Sequence, residues 1–223
     1  MTPVVIAVDG TAASGKGTLA RRLAEHFGFA HLDSGSLYRL VALQVLRSDH
    51  HPGDEPSAAA AARYVDPASA RRHDLRADEI AEAASIVAAF PRVRAALLHY
   101  QRAFALHPPG GAEGAVIDGR DIGTVVCPNA VAKLFVDAQP QVRAHRRWRE
   151  IERTGRVVSE DAVLADIRAR DQRDRSREAA PLRPAPDAIL LDTSELDIDG
   201  AFAAALALVS PMVEGALRIR HRG

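Results

Sequence analysis

Short apolar runs alternate along the chain with longer segments in which apolar residues recur every three or four positions. The short runs predict five buried strands, over residues 3–8, 30–32, 115–117, 131–136 and 188–191. The longer segments predict helices over residues 15–27, 34–47, 77–89, 91–106, 140–153, 159–175 and 197–209. Strands that alternate with helices predict one parallel sheet with helices on both faces.

The remaining segments carry weaker patterns. Residues 50–56 are polar, contain Pro and Gly and predict a loop, which an alanine run follows at 58–62. Residues 63–76 show no clear period. Gly28 is expected to end the first helix as its C-cap, and the tail from Pro211 is expected to fray.

Composition is that of a globular protein, because 47% of the 223 residues are apolar and 26% are charged. The 29 basic residues balance the 29 acidic ones, so global charge does not suggest nucleic acid or a membrane as partner. Cys127 is the only cysteine, which excludes an intramolecular disulfide. We expect a cytoplasmic protein, since no apolar run approaches the ~20 residues of a membrane span and no basic region opens the chain.

The segment from Gly10 to Thr18 fits the phosphate-binding pattern G-x-x-x-x-G-K. It follows a predicted strand and opens a predicted helix, where backbone amides and the Lys16 ammonium can bind phosphate oxygens. An accidental glycine turn is the alternative, and the strand–loop–helix context argues against it. The residues predicted to bind ATP are Gly10, Ala12, Ala13, Ser14, Gly15, Lys16, Gly17 and Thr18.

A metal site is less sharply predicted. Gly17 stands where many phosphate loops carry Ser or Thr, and Thr18 follows it. We therefore expect Mg²⁺ to arrive with ATP and to be held mainly by phosphate oxygens and water, with Thr18 reaching it through a water at most.

Three further segments carry polar residues next to predicted element ends: Asp33 to Arg39, Ala84 to Arg94, and Asp118 to Thr124. Together with the phosphate loop they make four motifs that resemble, in the same order, those of the bacterial cytidylate kinase family. The resemblance runs from residue 6 to about residue 192. It implies a P-loop NTPase fold of the α/β class, with a five-stranded parallel sheet flanked by helices, a short acceptor-binding insert and a lid.

The resemblance also implies a reaction and a set of residues. The reaction is transfer of the γ-phosphoryl group of ATP to CMP or dCMP. The CMP phosphate is expected to bind Ser34, Arg39, Arg120 and Arg177, the base Ser85, Arg94 and Asp121, and the sugar Arg170 and Asp174, with Arg170 also reaching the phosphate. The residues expected to act in catalysis are Lys16, Arg120, Arg170 and Arg177.

The domain plan follows the family with one departure. We predict a single kinase domain over residues 1–223, with its core at 1–48, 79–153 and 178–210. The insert is confined to about 49–78 and lacks the hairpin expected there, and the lid spans about 154–177.

Eleven arginines lie between residues 143 and 177. For the part before residue 154 a solvated helix with i,i+4 ion pairs is the favoured interpretation. For residues 170–177 a role in the lid is favoured, because the family has the same pattern there.

Two other functions remain open at this point. One is a P-loop kinase for another small molecule, against which Ser85, Arg94 and Asp121 argue. The other is an ATP-binding regulatory protein of the same fold with little turnover, whose only support is the shortened insert. We expect a monomer whose partners are ATP and CMP or dCMP, without nucleic acid or membrane.

Overall fold

The computed structural model describes residues 2–67, 75 and 77–222, except the side chain of Asp78. Within these residues it contains a five-stranded parallel sheet with the strand order β2-β3-β1-β4-β5. The strands are β1 (Val4–Gly10), β2 (Ala30–Asp33), β3 (Gly114–Gly119), β4 (Ala132–Asp137) and β5 (Ile189–Asp192). The predicted sheet is confirmed, and each strand lies within three residues of its predicted bounds.

Eight α-helices occur in the described residues. They are α1 (Lys16–Phe27), α2 (Ser34–Arg47), α3 (Glu55–Arg63), α4 (Asp78–Val87), α5 (Pro91–Leu106), α6 (Pro140–Glu152), α7 (Glu160–Ser176) and α8 (Ile198–Arg222). A short π-helical turn, Ile122–Val126, follows β3. Gly28 ends α1 in the left-handed conformation, as predicted.

The sheet is covered on both faces, which explains why its central strands are apolar throughout. On one face Ile6 and Val8 of β1 pack with α1 and α8. On the other face Ala7 packs with β3 and is backed by α5. Helices α2 to α5 form a separate apolar cluster beside the sheet.

The carboxyl ends of the parallel strands meet at one edge of the sheet. In the register of the ladder Asp33 pairs with Asp118, Asp9 with Gly119, and Gly10 with Val136. The phosphate loop, the segment after β2 and the segment after β3 therefore leave the sheet side by side. Ligands of open α/β sheets bind at this edge.

Two residues at the start of α2, Asp33 and Ser34, are of types that cap helices, and the structure decides between them. Asp33 is the N-cap, because its carboxylate accepts a hydrogen bond from the backbone N–H of Ser36 at 3.2 Å. Ser34 lies in the first turn, where its hydroxyl donates to the carbonyl oxygen of Asp118 at 2.7 Å. Both residue types can cap a helix, and the contact with β3 decides between them.

The insert contains a helix where a loop and an unassigned alanine run were predicted. Helix α3 begins at Glu55, inside the predicted loop, and buries its alanines against the α2–α5 cluster. Small side chains allow this close packing, and alanine has the highest helix propensity. Most of the predicted patternless stretch, residues 68–74 and 76, lies outside the described residues.

The tail from Pro211 is helical, so the prediction that it frays is wrong. Helix α8 continues through the exposed Pro211 because its apolar face still packs on the sheet, with Val213 fully buried. Its end is tied down by Arg220, which donates to the carbonyl oxygen of Glu113 at 2.7 Å. Tertiary packing thus outweighs the roughly 3 kcal/mol that proline costs inside a helix.

By length and composition α8 is also apolar enough to cross a membrane, because an 18-residue window within it has a mean hydropathy of 1.6. This corrects the expectation that no segment approaches that length. One such helix is weak evidence for a membrane span, and part of α8 packs on the sheet.

Candidate active site

One cleft at the carboxyl edge of the sheet brings the predicted residues together. It is lined by Lys16 and by all nine residues predicted to bind the acceptor. Those nine are Ser34, Arg39, Ser85, Arg94, Arg120, Asp121, Arg170, Asp174 and Arg177. They come from five separate segments of the chain, so their convergence is a property of the fold.

The phosphate loop has the backbone that its glycines require. A Cβ atom on Gly10 would lie 2.0 Å from the carbonyl oxygen of Val136, so only glycine allows β1 to approach β4 here. Gly15 precedes α1 with a φ of 86°, in the left-handed region that glycine adopts without strain. Together these two positions turn the loop toward the N-terminus of α1.

Side chains hold the loop from within. The hydroxyl of Thr11 donates to Asp137 at 2.6 Å, and the hydroxyl of Ser14 donates to the carbonyl oxygen of Thr11 at 3.0 Å. Thr193 donates to the carbonyl oxygen of Ser14 at 3.1 Å. The Ser14 hydroxyl is therefore engaged within the loop.

Lys16 lies at the junction of the phosphate loop and the cleft. Its Nζ donates to the carbonyl oxygen of Thr11 at 3.4 Å. Burial lowers the pKa of Lys16 to about 7, Arg120 and Arg170 lower it as well, and Asp118 and Asp33 act in the opposite direction. The negative groups around the Lys16 ammonium are therefore too few to offset its burial, and phosphate oxygens would provide further negative charge.

Arg120 and Arg177 share the carboxylate of Asp174. Arg120 donates from Nε to Asp174 at 2.9 Å, and Nη1 of Arg177 lies 4.0 Å from the same carboxylate. Burial raises the pKa of Asp174, but Arg120, Arg170 and Arg177 outweigh it and the net pKa is lowered. Asp174 is thus an anion that holds several guanidinium groups around one point.

Two buried polar atoms in this cluster have no hydrogen-bond partner, Nε of Arg170 and Nη2 of Arg177. Burial lowers the pKa of Arg170 to about 10, and the neighbouring Arg120 adds to that effect. An unpaired buried donor is costly, so such a group indicates a missing anionic partner. A phosphate would meet this demand, since guanidinium groups bind phosphate with paired hydrogen bonds.

At the other end of the cleft Arg94 and Asp121 form an ion pair. Burial would lower the pKa of Arg94, but Tyr38 and Asp121 outweigh it and raise that pKa. Ser85 lies nearby and accepts from Nε of Arg173 at 3.4 Å. Donor and acceptor groups thus stand side by side, as recognition of a base edge requires.

Comparison with known proteins shows the family to which the chain belongs. A family model described as cytidylate kinase matches residues 6–210. The chain belongs to the cytidylate kinase family.

Relatives at high identity support this membership over nearly the whole chain. The cytidylate kinase of Bradyrhizobium diazoefficiens is 52% identical over 215 residues, covering 96% of this chain and 100% of that protein. The cytidylate kinase of Paramagnetospirillum magneticum is 56% identical over 205 residues, covering 92% and 97%. A crystal structure of an uncharacterized protein from Eubacterium ventriosum has a similar fold, with a TM-score of 0.53 at 15% identity, covering 93% of this chain and 98% of that one.

Sequence reasoning on this cytidylate kinase family member missed Asp9. Its carboxylate, at the end of β1, accepts hydrogen bonds from the backbone N–H groups of Ile122 and Gly123, both at 2.7 Å. Burial raises its pKa to about 6 although these two N–H groups act in the opposite direction. Asp9 therefore ties the strand that enters the phosphate loop to the segment that carries Arg120 and Asp121.

Three residues with polar side chains that line the cleft were also missed: Asp33, Tyr38 and Asp118. Oδ1 of Asp118 lies in hydrogen-bond contact with Nε2 of His31 at 2.9 Å, and its Oδ2 lies near Gly17 of the phosphate loop. Tyr38 lies under the Arg94 guanidinium, 5.5 Å from ring centroid to Cζ. The position of the two aspartates directly at strand ends was the signal available in the sequence.

The interpretation of Arg143 as part of a solvated helix is wrong. Its side chain is 1% exposed and is the largest fully buried one among the described residues. It forms an ion pair with Asp171 of α7, at 2.6 Å between Nη2 and Oδ2. Arg149 and Arg153 in the same segment are exposed, as the solvated interpretation predicts. That interpretation therefore holds for these two arginines and fails for Arg143.

Proposed function

We propose that this protein transfers the γ-phosphoryl group of ATP to CMP or dCMP, giving ADP and CDP or dCDP. The observation that carries the proposal is the cleft, in which Lys16 of the phosphate loop faces an arginine cluster and the Arg94–Asp121 pair. The names of the relatives agree with it. A regulatory protein without turnover is disfavoured, because the cleft keeps charged groups on both the donor and the acceptor side.

The reaction needs positioning and charge stabilisation but no covalent intermediate. ATP phosphates would bind the amides at the start of α1 and the Lys16 ammonium, whose pKa they would raise. An oxygen of the CMP phosphate attacks the γ-phosphorus as the bond to the bridging oxygen of ADP breaks. Arg120, Arg170 and Arg177 would stabilise the negative charge on the transferred group.

The cytosine ring would lie between Ser85, Arg94 and Asp121. A carboxylate accepts from the exocyclic amine of cytosine, and a guanidinium donates to its acceptor edge. Asp174 and Arg170 would contact the sugar, with Arg39 and Ser34 on the phosphate. The Ser34 hydroxyl can serve that phosphate only by giving up its present bond to Asp118.

The oxygen groups at the loop fit a magnesium ion that arrives with ATP. Thr18 is exposed in the first turn of α1, and the Asp118 carboxylate lies near Gly17. Hard oxygen donors of this kind suit Mg²⁺, which keeps several waters. When bound, Mg²⁺ neutralises charge on the β- and γ-phosphate oxygens, and Thr18 would contact it through a water.

We retain the domain plan as part of the proposal, with a core of 1–48, 79–153 and 178–210, an insert of about 49–78 and a lid of about 154–177. Helix α7 supports the lid, because Arg170 and Asp174 lie on it and Arg177 is its C-cap, and all three line the cleft. Lid closure excludes water, so that transfer goes to CMP. We also propose that the enzyme acts as a cytoplasmic monomer.

The test is an assay of ADP release with CMP, dCMP, UMP and AMP as acceptors. CMP and dCMP are expected to support turnover far better than UMP and AMP. Lys16→Met should abolish turnover while the protein stays folded, because no second lysine lies in the cleft. Lys133→Met is the matched control, since the chain's other lysine pairs with Asp187 and is absent from the cleft. No turnover with CMP in the wild type would contradict the proposal.

A further inference from the structure

The buried side chain of Arg143 joins three parts of the molecule. Its Nε donates to the carbonyl oxygen of Ala138, just after β4, at 2.8 Å. Its Nη1 donates to the carbonyl oxygen of Ala12 in the phosphate loop at 3.1 Å. Both terminal nitrogens also donate to the Asp171 carboxylate of α7, at 3.2 and 2.6 Å.

Asp171 places this contact next to the acceptor site. It directly follows Arg170 and lies one helical turn before Asp174, and both of those residues line the cleft. Asp171 is itself buried and does not line the cleft. A paired guanidinium–carboxylate contact has a defined geometry, so the position of Arg143 sets the position of this turn of α7.

An apolar cluster packs between the two helices that carry the pair. Ala144, Ile151, Val163 and Ile167 pack together between α6 and α7, and Ala13 of the phosphate loop packs against them. A buried ion pair in such a place adds little net stability compared with apolar side chains of the same volume. Its defined geometry is therefore the better explanation for its presence than stability.

We propose that Arg143 is a positioning residue that couples occupancy of the phosphate loop to the placement of Arg170 and Asp174. The inference rests on the proposed function. Arg143 contacts neither substrate, since it is buried outside the cleft. ATP on the loop would stabilise the Ala12 carbonyl in its contact with the guanidinium, and the guanidinium would in turn hold Asp171. CMP then meets a preformed site, so the two nucleotides bind cooperatively.

The test measures the affinity for CMP with and without a non-hydrolysable ATP analogue. Coupled sites typically change each other's affinity by roughly 5- to 150-fold, and we expect an increase of about tenfold in the wild type. Arg143→Lys keeps the charge but loses the paired geometry, and Asp171→Asn keeps the shape but loses the charge. In both variants the analogue is expected to change CMP affinity by less than about twofold.

Arg149→Ala, on the exposed side of the same helix, is the matched control and should keep the wild-type coupling. A purely structural role would lower the melting temperature of the variants and leave the coupling intact. Should Arg143→Lys fail to fold, Asp171→Asn makes the same measurement with an isosteric side chain.

The outcomes separate this inference from the proposed function. If the wild type transfers phosphoryl groups to CMP but lacks coupling, or if folded variants keep it, the role of Arg143 is wrong and the proposed function stands. If coupling exists and is lost in the variants although CMP is not phosphorylated, the role of Arg143 stands and the proposed function is wrong.

Discussion

The guanidinium of Arg94 and the carboxylate of Asp121 form an ion pair between α5 and the segment that follows β3. Both side chains are largely buried, at 11% and 6% exposure, and both line the cleft. Each group holds the other in place and still has hydrogen-bonding capacity that faces the cleft. The pair thus presents one acceptor and several donors in a fixed arrangement.

This pair predicts discrimination between CMP and UMP. Uracil presents a carbonyl where cytosine has an amine, so Asp121 would face it without a proton between them. Such mismatches cost up to roughly 10⁴-fold in kcat/KM, and we expect at least about 100-fold in favour of CMP. Asp121→Ala should narrow the CMP/UMP ratio while lowering both values.

The control for that measurement is Arg92→Ala, on the exposed face of the same helix as Arg94. It should leave the CMP/UMP ratio unchanged. Equal kcat/KM for CMP and UMP in the wild type would rule out base reading by this pair.

Arg177 is expected to act in the chemical step. Its Nη2 is buried without a partner, so it can bind charge that develops on the transferred group. Arg177→Ala should lower kcat by roughly 10³-fold or more and change the KM for ATP little. Arg175→Ala, two residues away and exposed, should leave kcat near the wild-type value. A normal kcat for Arg177→Ala would assign Arg177 a structural role only.

We predict that Asp9 makes a contribution to the free energy of unfolding that depends on pH. Its pKa is about 6 in the folded protein and 3.8 in the unfolded reference. The stability that it contributes is therefore complete below about pH 4 and is lost as the pH rises through about 6. Relative to Asp9→Asn, the wild type should lose about 3 kcal/mol of unfolding free energy between pH 3 and pH 7, at about 1.4 kcal/mol per pKa unit. Denaturant unfolding of both proteins across this range measures the difference.

Asp187→Asn is a control with the opposite sign. Lys133 holds the pKa of the exposed Asp187 below its usual value, so its contribution is present at neutral pH and is lost on acidification. A stability difference between the wild type and Asp9→Asn that is constant with pH would contradict the raised pKa of Asp9.

In the last part of α8, two apolar residues are expected to differ in how much they contribute to the free energy of unfolding. Val213 is fully buried against the sheet, whereas Ile219 is 76% exposed on the same helix. Val213→Ala should lower the free energy of unfolding by about 2 kcal/mol, and Ile219→Ala should change it by less than about 0.5 kcal/mol. Denaturant unfolding gives both values. Equal, small effects of the two substitutions would indicate that the tail is frayed, as the sequence predicted.

Local patterns located the strands well, because each central strand is buried on both faces and is apolar without interruption. The phosphate loop was equally easy to recognise in the sequence, since its backbone requires glycine at two positions and it stands between a strand and a helix. The apolar pattern did not predict the part of α8 that follows Pro211. Proline is unfavourable inside a helix, but the apolar residues beyond Pro211 gain more by packing on the sheet.

Polar residues were harder to assign, because their roles depend on partners distant in the chain. Arg143 resembled any surface arginine until the fold placed Asp171, 28 residues later, against it. Asp9 had no visible role until β3 brought two backbone N–H groups, 113 and 114 residues away, onto its carboxylate. Ser34 and Asp33 were both suitable caps, and a contact with Asp118 decided their roles.

The sequence by itself therefore determined the parallel α/β fold, the phosphate loop and the family, because these follow from local spacing and from motifs in a fixed order. Only the tertiary structure decided which arginines are buried, which carboxylate holds them, and which strand end anchors the base-reading segment. The physical reason is that a charge is stabilised by groups within a few ångströms of it. In this chain, folding brings such groups together from positions far apart in the sequence, 27 residues for Arg94 and Asp121 and 114 residues for Asp9 and Gly123.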